Sequence, residues 1–388
     1  MENQTNRGSP ILLGDSRLVM QGMEPESYNC CVTSPPYWGL RDYGVPPSEW
    51  PAMSYSPMSG LSEVHLPTWT GCLGLEPTPE LFVGHMVQVF REVWRVLRND
   101  GTLWLNFGDS YASSPSNKND QVWGDPAYLG KGGHRCRTNA SGLKPKDLIG
   151  IPWRVAFALQ ADGWYLRMDI IWSKTNAMPE SVKDRPTKAH EYIFLLSKSE
   201  RYYYDSDAIK EIVATSTISR LSQDIENQMG SDRANGGVKK NGAMKAVGKK
   251  QDDLGKRTYT GFNKRYFSGS NSFAREVSES PPPGQHNQHR PDREDIEYSG
   301  KRNKRSVWTV ATNAFPEAHF AVFPTMLIEP CILAGCPVDG HVLDPFGGSG
   351  TTRKVSLENN RECTTIDINP NYNEINKRRT ATIQPKLF

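Results

Sequence analysis

The stretch HVLDPFGGSGTT, from His341 to Thr352, reads as a buried strand that ends in Asp344-Pro345-Phe346, passes through Gly347, Gly348, Ser349 and Gly350, and enters a helix. Glycines at a strand-to-helix turn let backbone approach a ligand closely, and the helix start beyond them offers unpaired N–H groups. A nucleotide-hydrolysing loop needs GxxxxGK followed by Ser or Thr, because the lysine neutralises the phosphates. Here Thr351 follows Gly350, so that reading fails. A dinucleotide loop wants GxGxxG, and after Gly348 and Gly350 the third position carries Arg353.

About twenty residues further on, the strand TTIDI carries Asp367, where a carboxylate accepts both hydroxyl hydrogens of a ribose. A ribose without a pyrophosphate fits an adenosyl cofactor. Asp344 is then expected to pair with the ammonium of a methionine moiety. Phe346, Gly348, Gly350 and Thr351 complete the expected cofactor set. A tight strand-to-helix turn with no ligand is the plain alternative, and these residues alone leave it open.

Working outward, the pattern stays regular. ELFVGHMVQVFREVWRVLRNDG, Glu80 to Gly101, sets Phe82, Met86, Val89, Phe90, Val93 and Leu97 at helical spacing and predicts a helix that Asn99-Asp100-Gly101 ends. The runs YNCCV, TLWLNFGD, YLRMDIIWSK, HEYIFLLSK, HVLDPF and ECTTIDI read as strands. Helices are expected from Pro152 to about Ala161, across 324 to 335, from Gly350 to about Glu358, and from Pro370. Strands alternating with helices predict a doubly wound, mostly parallel Rossmann-like α/β sheet.

With 388 residues the chain is long enough for one large domain with an insertion, or for two domains. The apolar stretch FAVFPTMLIEPCILAGCPV is broken by prolines and Glu329, so no membrane span is expected. The opening MENQTNRGSP lacks an apolar export core, which makes a cytoplasmic, prokaryotic or phage-encoded protein the expectation. Seven cysteines with no CxxC pair fit neither a disulfide framework nor a zinc ribbon. Cys72 with His134 and Cys136 is a poor metal set because a fourth ligand is not evident, and no metal is expected.

Net charge is only +3, but from Gly230 to Arg305 there are 17 Lys and Arg against 9 Asp and Glu. That segment is also rich in Gly, Ser, Asn and Pro, which fits a solvated linker. Aromatics interleave with the charge in RTYTGFNKRYFSGSNSFAR, as a surface that stacks bases and neutralises phosphates requires. The expected division is therefore 1–214, a basic target-reading insertion over 215–305, and 306–388. Arg41, Lys264, Arg265, Lys301 and Arg302 are the expected phosphate contacts.

The run TSPPYWGLRDYG, Thr33 to Gly44, leaves the strand YNCCV through two prolines and two aromatics. TSPPYW resembles the catalytic tetrapeptide of amino-methylating DNA methyltransferases, and LDPFGGSGTT with IDINP resembles their S-adenosylmethionine site. The order, catalytic motif first, basic segment in the middle and cofactor motif last, is similar to the permuted β subgroup. LLGDS, DGTLWLNFGDS, IIWSKTNAMPESVKDRPTKAHEYIFLLSKSERYYYD and HFAVFP extend the likeness over nearly all the chain outside the insertion.

What the resemblance implies has a physical basis. An exocyclic amine is a poor nucleophile because its lone pair is delocalised into the ring. The Ser34 hydroxyl and the Pro35 carbonyl are expected to accept its two hydrogens and turn the lone pair toward a sulfonium methyl. Pro35 and Pro36 stiffen that geometry, and Tyr37 with Trp38 is expected to stack a base taken out of the duplex. Serine at position 34, where many relatives carry Asp or Asn, implies N4 of cytosine, with N6 of adenine as the alternative. Carbon-5 methylation needs a cysteine nucleophile, and the Pro330-Cys331 step reads as buried helix instead. Lys174, Asn176, Glu180 and Arg185 lie in a polar loop that either meets the DNA backbone or is simply solvated. By the resemblance, Asp15, His319 and Phe320 join the cofactor site, with Phe323 as a second ring against the adenine.

The resemblance thus implies a site-specific methyltransferase acting on double-stranded DNA, as a monomer or homodimer, with a restriction endonuclease as a system partner. A nucleic-acid-binding protein that keeps the fold without turnover is the alternative of another class.

Overall fold

In a computed structural model of the chain, which describes residues 9–39, 42–112, 142–213, 250–251, 257–258, 301–312 and 323–383, the apolar runs pair as one eight-stranded sheet. In chain order its strands are β1 (Ile11–Leu13), β2 (Tyr28–Thr33), β3 (Leu97–Phe107), β4 (Tyr165–Ser173), β5 (His190–Ser197), β6 (Val307–Thr309), β7 (His341–Asp344) and β8 (Glu362–Asp367). Across the sheet they run β1-β8-β7-β2-β3-β5-β4-β6. Every neighbouring pair is parallel except the two that involve β5. The mostly parallel α/β architecture read from the sequence is the one observed.

Helices α1 (Ser16–Gln21), α2 (Pro79–Val96), α3 (Ile151–Ala161), α4 (Thr325–Gly335), α5 (Thr351–Glu358) and α6 (Pro370–Thr380) connect and cover the strands. Side chains alternate across a strand, and β3 shows the consequence. Leu103, Leu105 and Phe107 join one core with Phe82, Met86 and Phe90 of α2 and Val155 and Leu159 of α3. Trp104 faces the other core with Leu327, Ile328 and Cys331 of α4 and Val355 of α5. Both faces are dry, as parallel strands require.

Helix α2 starts where Thr78 accepts the Leu81 N–H at 3.2 Å and Pro79 takes the first turn. It ends earlier than its periodicity predicts. Leu97 has ψ 142°, is already strand, and pairs with Tyr28, so Asn99-Asp100-Gly101 sits inside an 11-residue strand. The apolar side chain at 97 fits the buried face of a helix and of a strand alike, and strand pairing wins.

The chain divides into two compact units, Met1–Ile209 with Asn303–Phe388, and Lys210–Arg302. In the second, Glu211–Ile212 pairs antiparallel with Lys301–Arg302, and Lys250–Gln251 with Arg257–Thr258. Arg302 there lies 3.4 Å from Glu211. Among the described residues no helix is long and apolar enough to cross a membrane. Cys30, Cys31, Cys331, Cys336 and Cys363 are buried free thiols. His134 and Cys136 lie outside the described residues.

Candidate active site

Strands β2 and β7 are neighbours at the centre of the sheet, yet the chain leaves β2 toward β3 on one side and β7 toward β8 on the other. Such a reversal opens a crevice at the carboxyl ends of the strands. The two motifs singled out in the sequence follow directly from those two ends. Thr33, last in β2, donates its hydroxyl to Asp344 Oδ1, last in β7, at 2.7 Å. Thr352, in the first turn of α5, donates to Asp344 Oδ2 at 2.6 Å, and the Phe346 N–H donates to Oδ1 at 3.1 Å.

Asp344 is therefore a joint. It is 1% exposed, and burial pushes its carboxyl up to about 6. It does not line the cavity described below, so the expected pairing with a ligand ammonium is corrected: its oxygens are taken by two hydroxyls and a backbone N–H.

The glycine loop closes onto β8. Gly347 donates its N–H to the Ile366 carbonyl at 2.8 Å, and Gly348 donates to Asp367 Oδ2 at 2.8 Å. Asn369 donates its N–H to Asp367 Oδ1 at 2.8 Å. Each oxygen of Asp367 thus takes one backbone donor and keeps a lone pair; burial raises this carboxyl too. Gly350 has φ +81°, and a Cβ there would land on the Asn376 side-chain amide. Arg353 is turned inward, bonded to the Ser9 carbonyl and the Thr380 hydroxyl, and does not line the cavity described below.

At the end of β2, Ser34 Oγ lies 3.3 Å from the Tyr37 hydroxyl, which donates to Glu191 Oε2 at 2.9 Å and faces Asn106 Oδ1 at 3.1 Å. Glu191 also pairs with Lys174, whose ammonium sits 4.6 Å over the Trp172 ring. Burial, then the negative Glu191, hold the Tyr37 phenol well above its usual range.

Asn106 and Glu191 were not picked out from the sequence. Both are polar residues inside apolar strands, LWLNF and HEYIFLLS, and that is the signal each carried. Glu191 reaches the site because β5 runs against its neighbours, which brings its first residues beside Phe107 at the end of β3. Lys174, read as a loop residue, pairs with Glu191 instead of standing free in solvent.

One cavity of about 470 Å³ is lined by Ser34, Pro35, Pro36, Tyr37, Asn106, Lys174 and Glu191 together with Asp15, Phe346, Gly348, Thr351 and Asp367. Phe323 also lines it. Asp15 serves a second purpose, capping α1 through the Arg17 N–H at 2.9 Å. Trp38 is corrected: it is 1% exposed, packs in the core and donates its indole N–H to the Glu76 carbonyl at 2.8 Å, so it offers the cavity no face. His319, Phe320, Arg41, Lys264 and Arg265 lie outside the described residues. Lys301 and Arg302 belong to the unit 210–302.

The donor set fits an adenosyl group. Two carboxylates, Asp15 and Asp367, and the Phe346 ring meet a glycine loop that carries no lysine. Such a set suits ribose hydroxyls, a cationic amine and an aromatic base better than it suits phosphates.

Comparison with known proteins gives the family and the fold. The profile of a family described as DNA methylase, covering N6 and N4 methyltransferases, matches residues 28–378. Type II methyltransferase M.SmaI of Serratia marcescens is 38% identical over 376 residues, covering 96% of this chain and 91% of its own. Type II methyltransferase M.Cfr9I of Citrobacter freundii is 37% identical over 375 residues, 95% of this chain and 86% of its own. Among solved structures, the PvuII DNA methyltransferase (cytosine-N4-specific) has the same fold, with a TM-score of 0.51 at 15% identity over 99% of this chain and 89% of that one.

Proposed function

The chain belongs to the DNA methylase family whose members methylate N4 or N6 amines, and on that premise we propose that it transfers a methyl group to N4 of a cytosine turned out of double-stranded DNA. The methyl donor is S-adenosylmethionine, which supplies an electrophilic sulfonium methyl when bound. Asp367 would accept ribose hydroxyls with the lone pairs its two backbone donors leave, Phe346 would lie against the adenine, and Asp15 would take the charged end, since all three line the cavity. The Ser34 hydroxyl and the Pro35 carbonyl accept the two hydrogens of the target amine and return its lone pair to nitrogen. Tyr37 stacks the extruded base, offsetting part of an unstacking cost of about a few kcal/mol.

The observation that carries this reading is that Ser34 and Asp367, far apart in the chain, line one cavity at the central switch of the sheet. Serine in place of a carboxylate at 34 favours cytosine. The segment 215–305 supplies target recognition, and the type II names of the relatives support a restriction endonuclease as system partner. Sequencing DNA from cells that express the protein, followed by mass spectrometry of its nucleosides, tests the reading. N4-methylcytosine at a fixed site is expected. N6-methyladenine moves the assignment to the other amine, and absence of methylation on any DNA leaves a binding protein.

A further inference from the structure

Ser34, Tyr37, Asn106 and Glu191 form a chain of hydrogen bonds whose direction is fixed at its inner end. A carboxylate accepts and does not donate. Lys174 ion-pairs with Glu191 through the other carboxyl oxygen, Oε1. Asn106 donates its Nδ2 to the Tyr192 carbonyl at 3.0 Å and to Glu191 Oε2 at 3.3 Å, so its amide orientation is set and Oδ1 faces Tyr37. The single Tyr37 hydrogen therefore meets two acceptors, at 2.9 and 3.1 Å. Its lone pair is left facing Ser34, 3.3 Å away, and the Ser34 hydrogen goes there.

We infer that Glu191, acting through Tyr37, sets the polarity of this chain and so makes Ser34 an acceptor that admits an amine and rejects a carbonyl at the same ring position. The inference rests on the function proposed above and deepens it by naming what discriminates the target base. An amine on cytosine or adenine presents hydrogens to the Ser34 lone pairs. Uracil in place of cytosine, or hypoxanthine in place of adenine, presents lone pairs to lone pairs. To receive it, Ser34 must turn its hydrogen away from Tyr37 and leave a buried acceptor unpaired, which is a penalty of repulsive design. The high phenol pKa keeps Tyr37 a neutral donor throughout. Glu191 is thus a positioning residue, and the position serves either amine.

Equilibrium binding without turnover tests this on the full-length protein. One duplex carries the site found by sequencing; a second differs only in having uracil, or hypoxanthine for an adenine target, at the modified position. The unstacking cost is a property of each duplex and cancels when a variant's amine-to-carbonyl affinity ratio is divided by that of the wild type. In Glu191→Gln, Lys174 retains the amide oxygen and the amide nitrogen becomes a donor toward Tyr37. Its ratio is expected to fall about tenfold, as is that of Tyr37→Phe, which removes the link, while Glu191→Asp keeps the acceptor and the ratio. A wild-type ratio in Glu191→Gln overturns the inference, and Tyr37→Phe decides it if the first variant does not fold. A wild-type protein that neither binds nor methylates DNA would instead sink the proposed function.

Discussion

Thr33 and Asp344 stand 311 positions apart and share a buried 2.7 Å hydrogen bond. That contact joins the last residue of β2 to the last residue of β7, the two strands from which the SPPY run and the glycine loop depart. The chain order of the two motifs therefore matters little to the site. Neighbouring strands and one shared carboxylate fix their spacing, and Thr352 ties the start of α5 to the same atom pair.

Removing that carboxylate leaves two hydroxyls and the Phe346 N–H without their partner in a dry interior. Each orphaned group costs about 1–3 kcal/mol, partly relieved by rotation of the hydroxyls, so Asp344→Ala is expected to lose about 2–4 kcal/mol in urea unfolding. The pH dependence has a definite sign. The folded carboxyl sits at about 6 against an ordinary 3.8, so its contribution is full below the ordinary value and is lost as pH rises through 6. Stability of the wild type relative to Asp344→Asn should fall by roughly 3 kcal/mol between pH 3.5 and pH 7. A difference independent of pH would remove Asp344 as the titrating group.

Ser34 makes its proposed contribution only to the reacting amine. Ser34→Ala is expected to lower the single-turnover rate about 100-fold or more while leaving S-adenosylmethionine affinity within about twofold. Rapid quench and calorimetry on the same preparation read the two quantities. Turnover that survives the substitution would remove the hydroxyl from the chemistry.

Some of this site was legible in the sequence because its chemistry is local. A glycine loop between a strand and a helix, and a Pro-Pro-aromatic exit from a strand, declare themselves within a few residues. Ser34, Tyr37, Phe346, Gly348 and Asp367 do line one cavity. The rest depended on facts that are not local. Strand direction brings Glu191 to the carboxyl edge, and HEYIFLLS reads alike in either direction. Trp38 beside Tyr37 suggests a base platform in the sequence, but the turn sends successive side chains different ways, and the larger one fills the core. Asp344 resembles a ligand group in the sequence because its partners, Thr33 and Thr352, lie on other elements.

Asp367 accepts two backbone N–H groups and still lines the cavity, so its substitution should weaken ligand binding and loosen the glycine loop together, and urea unfolding beside calorimetry reads the two effects. Loss of hydrogen bonds to a charged acceptor costs about 1.5–3 kcal/mol, which predicts about 10- to 100-fold weaker S-adenosylmethionine binding for Asp367→Ala. Asp367→Asn keeps one oxygen acceptor and should fall between the two. Calorimetry that returns the wild-type affinity for both variants would take Asp367 out of the cofactor site.

Gly350 tests whether the loop is built by backbone shape or by the ligand. Its φ of +81° lies where a side chain is strained, by about 1–2 kcal/mol. A methyl group there also runs into Asn376, which is 1% exposed and holds the Thr365 hydroxyl at 2.9 Å, so it has no room to yield. Overpacking of that kind adds about 1–3 kcal/mol. Gly350→Ala should therefore destabilise the protein by about 2–5 kcal/mol with no ligand present. Ser349→Ala, one position earlier, loses the hydroxyl contact to Arg379 at 2.7 Å but keeps the carbonyl contact, and should cost about 1 kcal/mol. Equal unfolding midpoints for the two variants would mean that the loop is shaped on ligand binding instead of being built into the fold beforehand.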